Sequence, residues 1–147
     1  AFEWLVSLTA SWGVRLAEEG FEVKLTNGVG ETFTASGGTP QARATSWLEY
    51  LVDVGTTWHD SLAGGAATIA RASSGHVLIA AIGRLDLTTA RELGAAEDGS
   101  SVRHALVLPP VPDRTEEHER GVAFLSSHGW LVRETPVGSA PENWVLR

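Results

Sequence analysis

The chain has 147 residues and a formal net charge of −7, with 43% hydrophobic and 20% charged residues. These values are typical of one globular domain with its own core and argue against disorder. The charge argues against nucleic acid and anionic lipid as partners, because phosphates are bound by clustered Lys and Arg, which are scattered singly here. The lack of cysteine excludes disulfides and thiolate chemistry. No run of about 20 apolar residues is present, so no membrane span is predicted in this segment.

The chain begins at Ala1 and contains no Met, which suggests a piece of a longer protein. Residues 2–19 have the spacing of an amphipathic helix that stops at Gly20. In a βαβ arrangement such a helix follows a strand. We therefore expect the first strand of the sheet to lie outside the 147 residues.

A hairpin follows in the pattern, from alternating apolar and polar residues at 21–26 and 31–35 around Asn27-Gly28. We expect this hairpin at the edge of the main sheet. Thr39 and Pro40 are typical of a helix start, and that helix ends before Gly55.

The next predicted helix is capped by Asp60 or Ser61. Its small residues, Ala63, Gly64, Gly65 and Ala67, allow close packing, for which the sheet is the expected partner.

Residues 77–82, Val-Leu-Ile-Ala-Ala-Ile, form the most continuous apolar run of the chain. Such a run predicts a central strand that helices cover on both faces. Asp86 then caps a short helix, a strand follows at 102–108, and Thr115 caps a helix ending at Gly129.

The last predicted elements are a strand at 130–134 and a turn of helix from Pro141. The whole order predicts a single domain over 1–147 with an α/β fold. We expect a three-layer α/β/α sandwich with a mostly parallel sheet, an antiparallel hairpin edge and right-handed crossovers.

Histidine is the usual base and metal ligand, but no two histidines have the i, i+4 spacing of a zinc motif. We expect them at the surface or at strand ends, with His118 on a solvated face among glutamates. His59-Asp60 resembles a dyad, although helix entry already explains Asp60. The five are His59, His76, His104, His118 and His128.

Asp86 lies where a ligand loop would follow the apolar strand, so it is the candidate metal ligand. A carboxylate there can help to hold Mg²⁺, with His104 and Asp113 as candidate neighbours. A single carboxylate does not make a site for a hard cation, and the helix cap is the simpler role. We predict no metal and no cofactor, and keep a metal-dependent enzyme or ligand site around Asp86 as the alternative.

The six tryptophans suggest where a partner could bind. Trp4, Trp12 and Trp47 lie on or beside helical stripes and are expected in the core. Trp58 and Trp144 lie in a loop and near the chain end, and are the candidate interaction residues, because half-buried Trp anchors interfaces. Packing over a sheet edge is the alternative for both.

A family resemblance covers essentially the whole chain. The chain resembles the bacterial family called domain of unknown function 58, and its end resembles actinobacterial members. The likeness is carried by Phe2-Glu3-Trp4, Ser7, Ala10-Ser11, Leu16, Glu19-Gly20-Phe21-Glu22-Val23-Lys24-Leu25, Gly129-Trp130-Leu131-Val132 and Asn143-Trp144.

The resemblance implies a von Willebrand factor A-like sandwich and work with a MoxR-type AAA+ ATPase. It also implies a cytoplasmic location, as the soluble part of a membrane-anchored protein. It brings no reaction, since the family has no established activity. Metal-competent A-type domains carry Asp-x-Ser-x-Ser at the end of the strand before the first helix, a position that falls before Ala1 here. They carry Thr-Asp-Gly after a later central strand, where this chain has Ile82-Gly83-Arg84.

The leading hypothesis is therefore a non-catalytic protein-interaction module rather than an enzyme. A further hypothesis is self-association. If a strand is missing, its neighbouring edges must pair directly, be capped or recruit another chain.

Overall fold

A computed structural model describes residues 2–54, 61–71, 77–95, 102–110 and 115–138. The chain has the predicted order of elements, and the mixed α/β class is confirmed. The turn predicted from Pro141 lies outside the described residues. The elements are α1 (Phe2–Glu18), β1 (Lys24–Thr26), β2 (Thr32–Thr34), α2 (Pro40–Val52), α3 (Ala63–Ala70), β3 (Val77–Ile82), α4 (Leu87–Gly94), β4 (Val102–Val107), α5 (Glu116–Ser127) and β5 (Leu131–Glu134).

The main sheet is parallel and has the strand order β3-β4-β5. The prediction that residues 77–82 form an enclosed central strand is wrong, because β4 is central and β3 is an edge among the described strands. Ala81 is exposed. The apolar run arises because both faces of β3 pack on helices, and this pattern does not require a second neighbouring strand.

Helices cover the sheet on its two faces. Leu78, Ala80 and Ile82 of β3 belong to a cluster with residues of α4 and α5, whereas Ile79 packs with α1 on the opposite face. Since side chains alternate along a strand, one face of β3 packs on α4 and α5, and the other face packs on α1.

α1 is buried on two sides. Leu8 and Trp12 pack with Leu106 of β4, while Ala17 packs with α2 and the hairpin. The 3.6-residue spacing predicts a single buried stripe that includes Trp12 and not Leu8, because one stripe describes a helix with one buried face. The predicted stripe is Phe2, Leu5, Val6, Thr9, Trp12, Gly13 and Leu16. α1 thus joins the sheet to the hairpin and α2. Among the described residues, no helix combines the length and apolar character needed to cross a membrane.

The hairpin forms its own two-stranded antiparallel sheet, so the prediction that it is the edge of the main sheet is wrong within the described residues. The Asn27 side chain accepts hydrogen bonds from the backbone N–H groups of Val29, Gly30 and Glu31. The left-handed residue is Gly30, with φ +99°, rather than Gly28. The turn is therefore longer than the Asn-Gly pair suggests.

The small residues of α3 do permit close packing, but their partner is the hairpin turn. The Gly65 backbone N–H donates to the Gly28 carbonyl at 2.9 Å, and a Cβ on Gly64 would meet the Val29 carbonyl oxygen at 2.7 Å. α3 thus packs on β1 of the hairpin and on α4, and the expected close contact with the main sheet is replaced by the contact with the hairpin. 

The start of α3 is stabilised by another helix. Glu92 of α4 accepts from the Leu62 backbone N–H at 2.8 Å and from the Ser61 hydroxyl at 2.9 Å. The Ser61 hydroxyl in turn accepts from the Ala63 backbone N–H. Leu62 is the N-cap residue and has no side-chain cap, so Ser61 supports the helix start from one position before the cap. Asp60, the other predicted cap, lies outside the described residues.

Candidate functional site

The carboxyl ends of the parallel strands are the expected ligand position of this fold class. Here a buried side chain follows each strand: Leu85 after β3, Leu108 after β4 and Thr135 after β5. The Leu108 N–H donates to the Ile82 carbonyl, and the Thr135 N–H donates to the Val107 carbonyl at 2.7 Å. The strand ends are thus held together by the main chain.

Asp86 directly follows the buried Leu85 and acts as a helix cap. Its Oδ1 accepts from the Thr89 backbone N–H at 2.7 Å, at the start of α4. That hydrogen bond is the largest cause of the lowered pKa of Asp86, with smaller contributions from the Thr89 hydroxyl and Arg84, and burial opposes it. The predicted cap is confirmed. In the described part of the chain, no three His, Asp or Glu residues lie together as a metal site.

Replacement of Asp86 by Ala is expected to lower the free energy of unfolding by about 1 kcal/mol at pH 7, since a cap is lost. The difference in free energy of unfolding between the wild type and Asp86→Ala should be complete above the ordinary aspartate pKa of 3.8. It should disappear as the pH falls through the lowered pKa of Asp86, because the folded state favours the carboxylate and the unfolded state does not. Urea unfolding between pH 7 and 2.5 measures this. Asp86→Asn keeps a hydrogen-bond acceptor that does not titrate. Its free energy of unfolding should be close to that of the wild type at pH 7 and should lack the pH dependence that Asp86 contributes.

His104 is not a neighbour of Asp86, so that part of the alternative site is wrong. In the β4 register His104 is opposite Ile79, well before the strand end. It lies on the face that α1 covers, like Leu106, and is 5% exposed. Burial, and then the charge of Arg133, lowers the pKa of His104, so its imidazole is neutral near pH 7. Asp113, the other candidate neighbour, lies outside the described residues.

His118 is buried, which corrects its predicted place on a solvated face. It is 2% exposed, and its Nε2 lies 2.8 Å from Oε1 of Glu134 at the end of β5. Since a carboxylate only accepts, Nε2 donates the hydrogen bond. The glutamates beside His118 suggest a solvated face, but His118 belongs to the buried stripe of α5 together with Gly121 and Leu125.

Glu134→Ala is expected to lower the free energy of unfolding by about 1–3 kcal/mol, because it leaves a buried imidazole N–H without its acceptor. Glu134→Gln, which can still accept, should lose less. The matched control is Glu116→Ala, which breaks an exposed pair with Arg120 and should cost between 0 and about 1 kcal/mol. Equal losses in Glu134→Ala and Glu116→Ala, measured by urea unfolding at pH 7, would contradict a stabilising role for the buried pair.

The tryptophans that the structure describes differ in how far they are buried. Trp12 and Trp47 are buried, as predicted, and Trp4 is half-buried. The candidate interaction residues Trp58 and Trp144 lie outside the described residues, as do His59 and His76.

An exposed apolar surface lies elsewhere, on α2. Leu48 is 44% exposed and Val52 is 81% exposed, one helical turn apart. About 100° round the helix from this pair, Trp47 and Leu51 are buried against α1 and the hairpin. We call Leu48 and Val52 the α2 surface. The sequence pattern does not reveal this surface, because Leu48 and Val52 fit the apolar i, i+4 spacing that predicts the buried face of a helix.

Comparisons with protein-family models, with curated proteins and with solved structures returned no match.

Proposed function

We propose that this chain is a non-catalytic protein-interaction module of the von Willebrand factor A-like type that works with a MoxR-type AAA+ ATPase. The element order and the parallel sheet support the type of domain, and the resemblance in sequence supports the partner. The α2 surface carries the proposal that the module binds protein.

The α2 surface has the features of a contact site. A Val side chain that is 81% exposed at the end of a helix gains little from folding, since it remains in water. Together with Leu48 it presents neighbouring apolar side chains, and the exposed Glu49 and Asp53 lie beside them. An apolar centre with a charged rim is the usual anatomy of a protein interface. The arrangement favours a partner surface that is apolar with basic residues around it.

The experiment is a titration of the chain against a MoxR-type AAA+ ATPase from the same organism, by biolayer interferometry. The double variant Leu48→Lys/Val52→Lys should bind at least about tenfold more weakly, which corresponds to about 1.4 kcal/mol. Lys is a good helix former, so α2 should keep its structure, and circular dichroism checks this.

The matched control is Val137→Lys, which places the same charge on an exposed apolar residue in the turn after β5. It should bind like the wild type. Absence of wild-type binding would contradict the partner, and equal binding by the double variant would contradict the α2 surface.

A further inference from the structure

We propose that the α2 surface binds a cationic amphipathic helix of the partner, which lies along α2 and antiparallel to it. This inference rests on the proposed function, since it names the element of the partner that the α2 surface receives. Two features of α2 support it. Exposed residues form a stripe along the helix, and negative charge is concentrated at its C-terminal end.

The exposed stripe continues the α2 surface toward the start of the helix. Gln41 and Thr45 are exposed, like Leu48 and Val52, and the four positions are separated by four, three and four residues. On a helix they fall within about 60° of one another. This is the a and d spacing by which one helix packs along another. The stripe follows the axis of α2 and therefore fits a straight helix better than a loop.

The C-terminal end of α2 is acidic. Glu49 and the C-cap residue Asp53 are exposed, and the last turn of α2 contains no basic residue. Among the described residues, neither carboxylate belongs to an ion pair. A helix C-terminus carries partial negative charge, so acidic side chains destabilise it and cations stabilise it. The same turn leaves Val52 in water. A partner that brings cationic and apolar groups together removes both costs.

The charges also set the orientation of the partner helix. Glu49 and Asp53 lie between about 70° and 110° round α2 from the stripe, and on the other side of the stripe Ala44 and Leu51 are buried. The basic residues of the partner should therefore lie along one side of its apolar stripe. An antiparallel helix also brings its N-terminus, with partial positive charge, to the acidic end of α2. The net charge of −7 attracts such a cationic element.

The first test is Glu49→Lys/Asp53→Lys, titrated against the MoxR-type AAA+ ATPase at low and high ionic strength. At low ionic strength it should bind at least about tenfold more weakly, mainly through slower association, and its affinity should depend less on salt than that of the wild type. Since Lys is favoured at a helix C-terminus, the variant should unfold at a higher urea concentration, so that a loss of structure does not explain weaker binding.

The matched control is Glu18→Lys/Glu117→Lys, which makes the same change in net charge at exposed glutamates of α1 and α5. Its affinity should stay within about threefold of the wild type, because only the overall attraction is reduced.

A second test does not depend on the ATPase. A synthetic peptide as long as α2, with Leu at the a and d positions and Lys along one flank, is titrated into the ¹⁵N-labelled chain. The amide signals of Thr45, Leu48, Glu49 and Val52 should shift most. A peptide of the same composition without helical spacing of its Leu residues should bind at least about tenfold more weakly.

The outcomes separate this inference from the proposed function. If Leu48→Lys/Val52→Lys loses the ATPase and Glu49→Lys/Asp53→Lys does not, the cationic helix is overturned and the α2 surface remains the contact site. Peptide binding without ATPase binding would contradict the proposed partner and support the helix. Equal affinity for the two peptides, or larger shifts outside α2, would overturn the inference.

Discussion

Leu125→Ala is expected to lower the free energy of unfolding by about 3–4 kcal/mol, the largest loss among the substitutions considered. Leu125 is fully buried and lies in the cluster that α4 and α5 form on the sheet. Its neighbours there include Val107 at the end of β4, Trp130 before β5 and the fully buried Ala90 of α4. Since these groups come from separate elements, they cannot all move to fill the cavity, and the cost includes lost contacts as well as lost burial.

The matched control for Leu125→Ala is Leu131→Ala, the same substitution at a residue that is 54% exposed. It should cost less than about 1 kcal/mol, since little burial is lost. Urea denaturation followed by circular dichroism measures both. A loss below 1 kcal/mol for Leu125→Ala would show that α5 is not packed on the sheet as described.

Gly13→Ala is expected to lower the free energy of unfolding by about 2–3 kcal/mol, although Ala normally favours a helix over Gly by about 1 kcal/mol. A Cβ at position 13 would overlap the indole of Trp47, which packs across α1. The indole is rigid, and its Nε1–H donates to the Thr9 carbonyl at 3.3 Å. α1 and α2 must therefore separate, and both the hydrogen bond and the packing are weakened.

Gly38→Ala serves as the control for Gly13→Ala, because a Cβ there meets no atom within 4 Å. Its stability should change by less than about 0.5 kcal/mol. Thermal unfolding of the two variants compares them directly. A stabilised Gly13→Ala variant would mean that the helix propensity of Ala outweighs the overlap, and that α1 and α2 are not in close contact.

Local features of the fold could be predicted from the sequence. Asp86, Thr115 and Thr39 each cap the predicted helix, because a cap depends on a hydrogen bond to a backbone group only a few residues away. The left-handed Gly20 and Gly129 lie after α1 and α5, where the pattern predicts that the helices stop.

Features that depend on distant residues could not be predicted in the same way. An apolar strand such as β3 has the same sequence pattern whether it has one neighbouring strand or two. His118 was assigned to the surface because of adjacent glutamates, whereas Glu134, which satisfies it, is 16 residues away. The candidate site at Asp86 does not include His104, because His104 lies three residues before Val107, the residue of β4 that pairs with Ile82 at the end of β3.

α1 couples the hairpin and α2 to the parallel sheet, so the α2 surface and the sheet belong to one folded unit. Residue-resolved urea unfolding by NMR tests this coupling, with amide signals from β1, α2, β4 and α5 followed in one titration. We predict one shared midpoint for all four elements, which shifts as a whole in Gly13→Ala and in Leu125→Ala. Separate midpoints for the hairpin with α2 and for the sheet with α5 would contradict the claim.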